Sequence, residues 1–181
     1  MKQPINRRNF LKLGMLAAAL PLPALANPQR ATGERLLGFH NLHTGERTVL
    51  PYWIEGRYVT ESLTEINHVL RDHRTNLIAE IDTGLLDLLH RVGAALGTAR
   101  PFEVISGYRS PASNQMLAQN SSGVAKRSLH MDGKAIDIRL PGVPLADLHR
   151  TGLTLKSGGV GYYPKSNFVH LDVGRVRSWN G

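Results

Sequence analysis

The sequence predicts an α+β domain, a small antiparallel sheet with flanking helices. Three observations carry that expectation. Short runs with a period of two recur at both ends of the chain, as in Phe168-Val169-His170-Leu171-Asp172-Val173, the pattern of half-buried strands. Between them, Leu85, Leu86, Leu88, Leu89, Val92 and Leu96 follow helical spacing. The 181 residues are 41% hydrophobic, enough apolar material for one domain with a real core, and no internal repeat calls for a second.

Residues 1–26 stand apart from that domain. Arg7-Arg8-Asn9-Phe10-Leu11-Lys12 has the form of a twin-arginine export signal, and the apolar stretch after it ends in Ala24-Leu25-Ala26, a small-residue cleavage site. The run from Leu13 to Ala26 falls short of the roughly 20 residues a spanning helix needs, and Pro21 and Pro23 interrupt it. A cleaved leader is therefore expected rather than an anchor. The mature domain would be residues 27–181, exported folded to the periplasm or cell envelope with no stable membrane span.

From Arg35 to Val59 the pattern suggests a hairpin or meander: Leu36 to Leu42, a turn at His43-Thr44-Gly45-Glu46, and Thr48 to Ile54. Ser62 and Glu65 read as a capping box, with Leu63, Ile66 and Leu70 at helical spacing, so a helix is expected to about Arg74. The leucine-rich helix follows, with Thr83 near its start and Gly97 at its stop. Phe102-Glu103-Val104-Ile105 reads as a strand running into Ser106-Gly107-Tyr108-Arg109. Ser110-Pro111 then opens a short helix to Gln119, which puts Arg109 at a strand-to-helix corner.

Asn120 to Arg127 is polar and reads as a loop delivering the chain to His130, before a strand from Lys134 to Leu140. Pro144 opens another short helix, and two strands joined at Pro164 complete the domain.

The leader's Lys2, Arg7, Arg8 and Lys12 account for four of the eight net positive charges, leaving the mature domain near 8 − 4 = +4. Such an excess is compatible with an anionic envelope polymer and equally with a merely soluble basic surface. No Lys/Arg run interleaved with aromatics is present, so the sequence gives no support for nucleic-acid binding. The chain has no cysteine, which excludes disulfides and thiolate ligation, so any metal must use His, Asp or Glu.

His130, Asp137 and His170 supply two imidazoles and one carboxylate, a set that fits a catalytic zinc with its fourth position open. The same set also suits iron(II) or cobalt. Strand alternation puts Ala135, Asp137 and Arg139 on one face, with Ile136 and Ile138 on the other. It likewise puts Phe168, His170 and Asp172 opposite Val169, Leu171 and Val173. Two neighbouring strands would then direct Asp137 and His170 to a common point. Taken singly, each residue has a plain alternative: a surface or hydrogen-bonded His, or an Asp paired with an Arg.

Ser128-Leu129-His130-Met131-Asp132-Gly133-Lys134-Ala135-Ile136-Asp137 resembles the Ser-x-His-x-x-Gly-x-Ala-x-Asp pattern of the M15-type zinc peptidases. Ser106-Gly107-Tyr108-Arg109-Ser110 upstream and Phe168-Val169-His170-Leu171-Asp172-Val173-Gly174 downstream are similar to the same family, in the same order. Asn41-Leu42-His43-Thr44-Gly45-Glu46 and Leu70-Arg71-Asp72-His73-Arg74 resemble its murein endopeptidase K-like subgroup, once named for a domain of unknown function. The likeness covers most of the mature chain. It implies the fold shared by D-Ala-D-Ala peptidases and the hedgehog signalling domain, and one zinc ion (Zn2+) per chain on His130, Asp137 and His170. It also implies hydrolysis of amide bonds in peptidoglycan stem peptides, at their cross-links.

On the same resemblance Arg109 is a contact to substrate or transition state, with pairing to Asp137 or a loop carbonyl as the structural alternative. Many relatives place an acidic or histidine base two or three residues before the last ligand, where this chain has Phe168 and Asn167. Asp172 is then the first candidate, either accepting a proton from the reacting water or holding His170 in the correct tautomer. Ser128 is read as a substrate contact or turn cap; Tyr108, Tyr162, Tyr163 and Trp179 are read as groove walls or packing residues. Two alternatives stay open at this point: a zinc-containing binding module without turnover, and a D,D-carboxypeptidase or L-alanyl-D-glutamate peptidase.

Overall fold

The computed structural model describes residues 33–120, 125 and 127–181. The leader expected at residues 1–26 lies outside them, as does most of the loop expected between Asn120 and Arg127. Strand β1 (Glu34–Asn41), β2 (Arg47–Ile54) and the two-residue β3 (Arg57–Tyr58) form the expected meander, followed by α1 (Thr60–Val69) and α2 (Thr83–Ala95). Next come β4 (Phe102–Ser106), α3 (Pro111–Asn120), a 3-10 turn (Leu129–Asp132) and β5 (Ala135–Arg139). The chain finishes with α4 (Leu145–Leu155), β6 (Gly159–Tyr163), β7 (Phe168–Asp172) and β8 (Arg177–Asn180).

The α+β class is as expected, but the sheet is larger than small and is not wholly antiparallel. Its eight strands run in the order β3-β2-β1-β4-β5-β7-β6-β8, with β1/β4 and β6/β8 parallel. Both parallel pairs follow from the connections. Between β1 and β4 the chain passes through two helices, the long crossover that parallel neighbours require. β7 folds back on β6, and β8 then joins the free edge of β6 in the direction β6 itself runs.

The core lies where the sequence places it. Leu85, Leu86, Leu88, Leu89 and Val92 of α2 are buried against Ile136, Ile138, Val169 and Leu171 of the sheet, with Leu148 of α4 and Ile66 and Val69 of α1 in the same cluster. Helix α2 begins at Thr83 as expected, capped by Asp82, whose carboxylate accepts from Gly84 N at 2.8 Å. The capping box expected at Ser62 does not form: α1 begins at Thr60, its cap position is Val59, and Ser62 is buried inside the helix.

The same helix stops at Val69 rather than near Arg74, and Asp72 gives the reason. Its carboxylate accepts from Arg74 N at 2.9 Å and its carbonyl from Asn76 N at 2.8 Å. A short acidic side chain bonded to nearby backbone offers the chain a turn in place of a helix. Ser110 caps α3 as predicted, accepting from Ser113 N at 3.2 Å.

A converging histidine and carboxylate group in an arginine-lined cleft

Strands β5 and β7 set the site. Their antiparallel register puts Asp137 directly opposite His170 and Ile136 opposite Leu171. Because side chains alternate, Ile136 and Leu171 enter the core while Asp137 and His170 share the other face. His130 arrives from the 3-10 turn just before β5. Gly133 ends that turn at φ +65, and a Cβ there would run into the carbonyl of Glu80. Asp82 N donates to Gly133 O at 3.0 Å, so the turn is pressed against the segment leading into α2. Only glycine meets both demands.

Each imidazole is fixed through its outer nitrogen. His130 Nδ1 donates to Gly107 O at 2.8 Å, which turns Nε2 inward. His170 Nε2 donates to Asp172 Oδ2 at 3.0 Å, which turns Nδ1 inward. The inward atoms converge: His130 Nε2 to His170 Nδ1 is 3.2 Å, His130 Nε2 to Asp137 Oδ1 is 3.3 Å, and His170 Nδ1 to Asp137 Oδ1 is 2.8 Å. All three residues are buried, and the group could hold a metal ion. A tetrahedral ion with bonds of about 2.0–2.2 Å sets its donor atoms roughly 3.3–3.6 Å apart. Two edges match closely, and the third is short by a shift within a side chain's reach.

The charges follow from the same contacts. Burial works against ionising Asp137, yet the two imidazoles outweigh it and hold its carboxyl well below the usual carboxylate range. Burial likewise works against a charge on His170, but hydrogen bonds to Asp137 and Asp172 carry its pKa up to about 9. Asp172 is fully buried and its carboxylate takes five donors. Oδ1 accepts from Gly159 N, Gly174 N and Arg177 Nη1 at 2.9, 2.8 and 3.1 Å; Oδ2 accepts from His170 Nε2 at 3.0 Å and Arg177 Nη2 at 2.7 Å. It lies on the side of the His170 ring away from the converging atoms.

Arg109 stands at the corner after β4, as predicted. Its guanidinium reaches Asp137 Oδ2 at 3.4 Å, Ser106 Oγ at 3.3 Å and Asn114 Oδ1 at 3.4 Å, all long contacts, and its buried Nε has no hydrogen-bond partner among the described residues. Burial lowers its pKa. The corner itself is pinned from below. Tyr108 N donates to Leu70 O, Arg109 N to His130 O, and Ser110 N to the buried carboxylate of Asp72 at 2.8 Å.

These groups open into a cleft of about 620 Å3. Tyr163, Phe168 and Trp179 form an aromatic wall, with Tyr163 stacked on Phe168 at 4.5 Å and Trp179 Nε1 donating to Tyr163 Oη at 2.8 Å. Arg109, Arg127 and Arg177 also line it. Asp137 is its sole acidic side chain among the described residues.

Of the residues singled out from sequence, His130, Asp137, His170, Arg109, Ser128, Tyr163 and Trp179 meet at this cleft, whereas Tyr108 and Tyr162 pack against the core. Asp172 does not line the cleft and reaches the converging donor atoms through His170. Sequence reasoning missed Arg177, Asp72 and Gly159. Arg177 followed no periodic pattern, Asp72 looked like a solvated helix face, and only the run of glycines at 158, 159 and 161 hinted that backbone and side chains crowd together there.

Comparison with known proteins adds to this geometry. Residues 29–179 match the peptidase M15 family described as peptidoglycan L,D-endopeptidase MepK. The chain is 46% identical over 178 residues to the peptidoglycan L,D-endopeptidase MepK of Escherichia coli K12, covering 96% of this chain and 97% of that one. It is 40% identical over 179 residues to the probable peptidoglycan L,D-endopeptidase MepK of Haemophilus influenzae, covering 97% and 96%.

Proposed function

Because the chain belongs to the peptidase M15 family described as peptidoglycan L,D-endopeptidase MepK, we propose that it is a zinc peptidase hydrolysing peptide cross-links between peptidoglycan stem peptides. The observation that carries this reading is the convergence of His130 Nε2, Asp137 Oδ1 and His170 Nδ1 on the floor of an open cleft. Those three atoms would hold one zinc ion per chain. When bound, zinc acidifies a water toward pKa about 7 and polarises a carbonyl.

The remaining chemistry belongs to the chain's own residues. Arg109 is loosely held by its neighbours and faces the same cleft, so its guanidinium is free to hold a peptide carboxylate or a carbonyl oxygen as it gains charge. Asp172 already accepts five hydrogen bonds and is closed off from the cleft. That saturation favours the second of its two roles, fixing the His170 tautomer, over receiving a proton. Tyr163, Phe168 and Trp179 pack the aliphatic parts of a stem peptide and exclude water. Three arginines facing one acid suit a peptide rich in carboxylates.

The reading includes export by the twin-arginine leader at residues 1–26 and work in the periplasm or cell envelope. No helix among the described residues is long and apolar enough to cross a membrane. The test is digestion of purified peptidoglycan by zinc-loaded protein and by His170→Ala, with muropeptides resolved by chromatography and mass spectrometry. Cross-linked dimers should disappear only with the parent protein, and fragment masses should place the cut at an L,D bond. Dimers that survive under every metal loading would return the chain to a binding module without turnover.

A further inference from the structure

Beyond adding to the positive charge of the cleft, Arg177 is the strongest hold on Asp172. Its fork spans both carboxylate oxygens, Nη2 to Oδ2 at 2.7 Å and Nη1 to Oδ1 at 3.1 Å. The two backbone donors, Gly159 N and Gly174 N, hold Oδ1 alone. Oδ2, the oxygen that meets His170, has Arg177 as its second partner. Without that fork the carboxylate could rotate about its bond to Cβ and lose the line to His170 Nε2. It would also be a fully buried anion without a permanent cation beside it.

The surroundings are shaped around this contact. Gly159 sits so close that a Cβ there would meet the Asp172 carboxylate and the Arg177 guanidinium. On its outer side the guanidinium lies 5.0 Å over the Trp179 ring, and Trp179 is in turn 5.1 Å from the His170 ring. A planar, forked cation fills this slot in a way a lysine ammonium does not.

We propose that Arg177 is a positioning residue for the metal centre: it locks Asp172 so that His170 keeps its proton on Nε2 and presents Nδ1 to the ion. This rests on the reading of His170 as a ligand. Arg177 also lines the cleft, and a direct contact with substrate is the competing role the experiment must separate.

The experiment uses the full chain and the variants Arg177→Gln, Arg177→Lys, Asp172→Asn and Arg177→Gln/Asp172→Asn. Zinc affinity is measured by competition with a chromophoric chelator in the absence of substrate, and kcat and KM on a purified cross-linked muropeptide. Loss of a partner that orients a ligand weakens metal binding or activity by about 10–100-fold, and Arg177→Gln should fall in that range, with kcat lowered and KM little changed. Arg177→Lys should recover part of the loss, and the double variant should bind zinc no more weakly than Asp172→Asn alone.

Unchanged zinc affinity in Arg177→Gln overturns the proposal, whether or not KM rises. If that variant fails to fold by circular dichroism, Arg177→Lys carries the test: charge without the fork should still weaken zinc, and parental affinity overturns the proposal. Zinc binding is read without turnover, so a parent protein that binds zinc but leaves dimers intact removes the peptidase reading and leaves this one standing.

Discussion

Asp172→Asn keeps the shape of the side chain and removes its charge, which makes its consequences countable. The amide has one oxygen and one NH2 where the carboxylate had two acceptors. With its oxygen in the place of Oδ1 it keeps Gly159 N, Gly174 N and Arg177 Nη1, but its NH2 then faces His170 Nε2 and Arg177 Nη2, both donors. Turned over, it sets an NH2 against three donors, so the first arrangement wins. His170 then relieves the clash by leaving Nε2 bare and keeping a proton on Nδ1, the atom aimed at Asp137 and His130, and a protonated nitrogen cannot bind a metal.

The bonds from His170 Nε2 and Arg177 Nη2 to a charged oxygen are lost, each worth about 1.5–3 kcal/mol, and a neutral bond of about 0.5–1.5 kcal/mol from the amide NH2 to the bared Nε2 replaces the first. The Arg177 side chain is 33% exposed and recovers part of its share from water. The net loss of stability should be about 2–4 kcal/mol. Zinc affinity should fall about 10–100-fold. Urea unfolding and chelator competition measure the two. If zinc affinity were kept while hydrolysis vanished, Asp172 would have to be the proton acceptor instead. If both were kept, the ring would be held by something other than Asp172.

Arg109→Gln should leave zinc affinity close to the parent's and lower kcat on cross-linked muropeptides by about 10²–10³-fold, the loss expected for one donor to a developing oxyanion; steady-state kinetics with metal titration checks both halves. Gly159→Ala drives a methyl group into the Asp172–Arg177 contact, so thermal and urea unfolding should show a loss of about 1–3 kcal/mol, together with weaker zinc binding. Burial, with His43 stacked on its ring at 3.7 Å and Arg74 nearby, lowers the His73 pKa from 6.5 to about 4. The unfolded chain therefore takes up that proton first. The His73 contribution to stability should be full above 6.5 and fall as pH drops through about 4, and His73→Gln should flatten that part of a ΔG-against-pH profile.

What could be read from the sequence was what has a period. β5 and β7 alternate cleanly, so the faces of Asp137 and His170 followed from counting, and α2 announced itself through its leucines. Contacts between elements far apart in sequence carry no such signal. The fork of Arg177 depends on β8, a strand of four residues in which only Trp179 is a large apolar residue, and on its joining β6 rather than extending β7. Asp72 was hidden for a different reason. Its place after α1 looks like a continuing polar helix face, and only the fold brings Ser110 N to it across 38 residues. The expected helix to Arg74 failed on the same residue, because backbone hydrogen bonds to Asp72 outcompete another helical turn. The sheet was drawn too small because Arg57–Tyr58 and Arg177–Asn180 are too short to show a pattern, and because parallel pairing is decided by connections rather than composition.

The direct opposition of Asp137 and His170 across β5 and β7 has a consequence for how the domain reaches a single structure. A sheet slipped by one residue between these strands would put Asp137 and His170 on opposite faces, turning one of them into the apolar layer and an isoleucine or leucine neighbour out of it. Such a misaligned form could not assemble the three donor atoms. An ion that binds only the aligned form stabilises it by an amount that grows with the logarithm of free metal over Kd. The metal would then act as a gauge of strand alignment, and its supply would set how completely misaligned chains are drawn back into the native sheet.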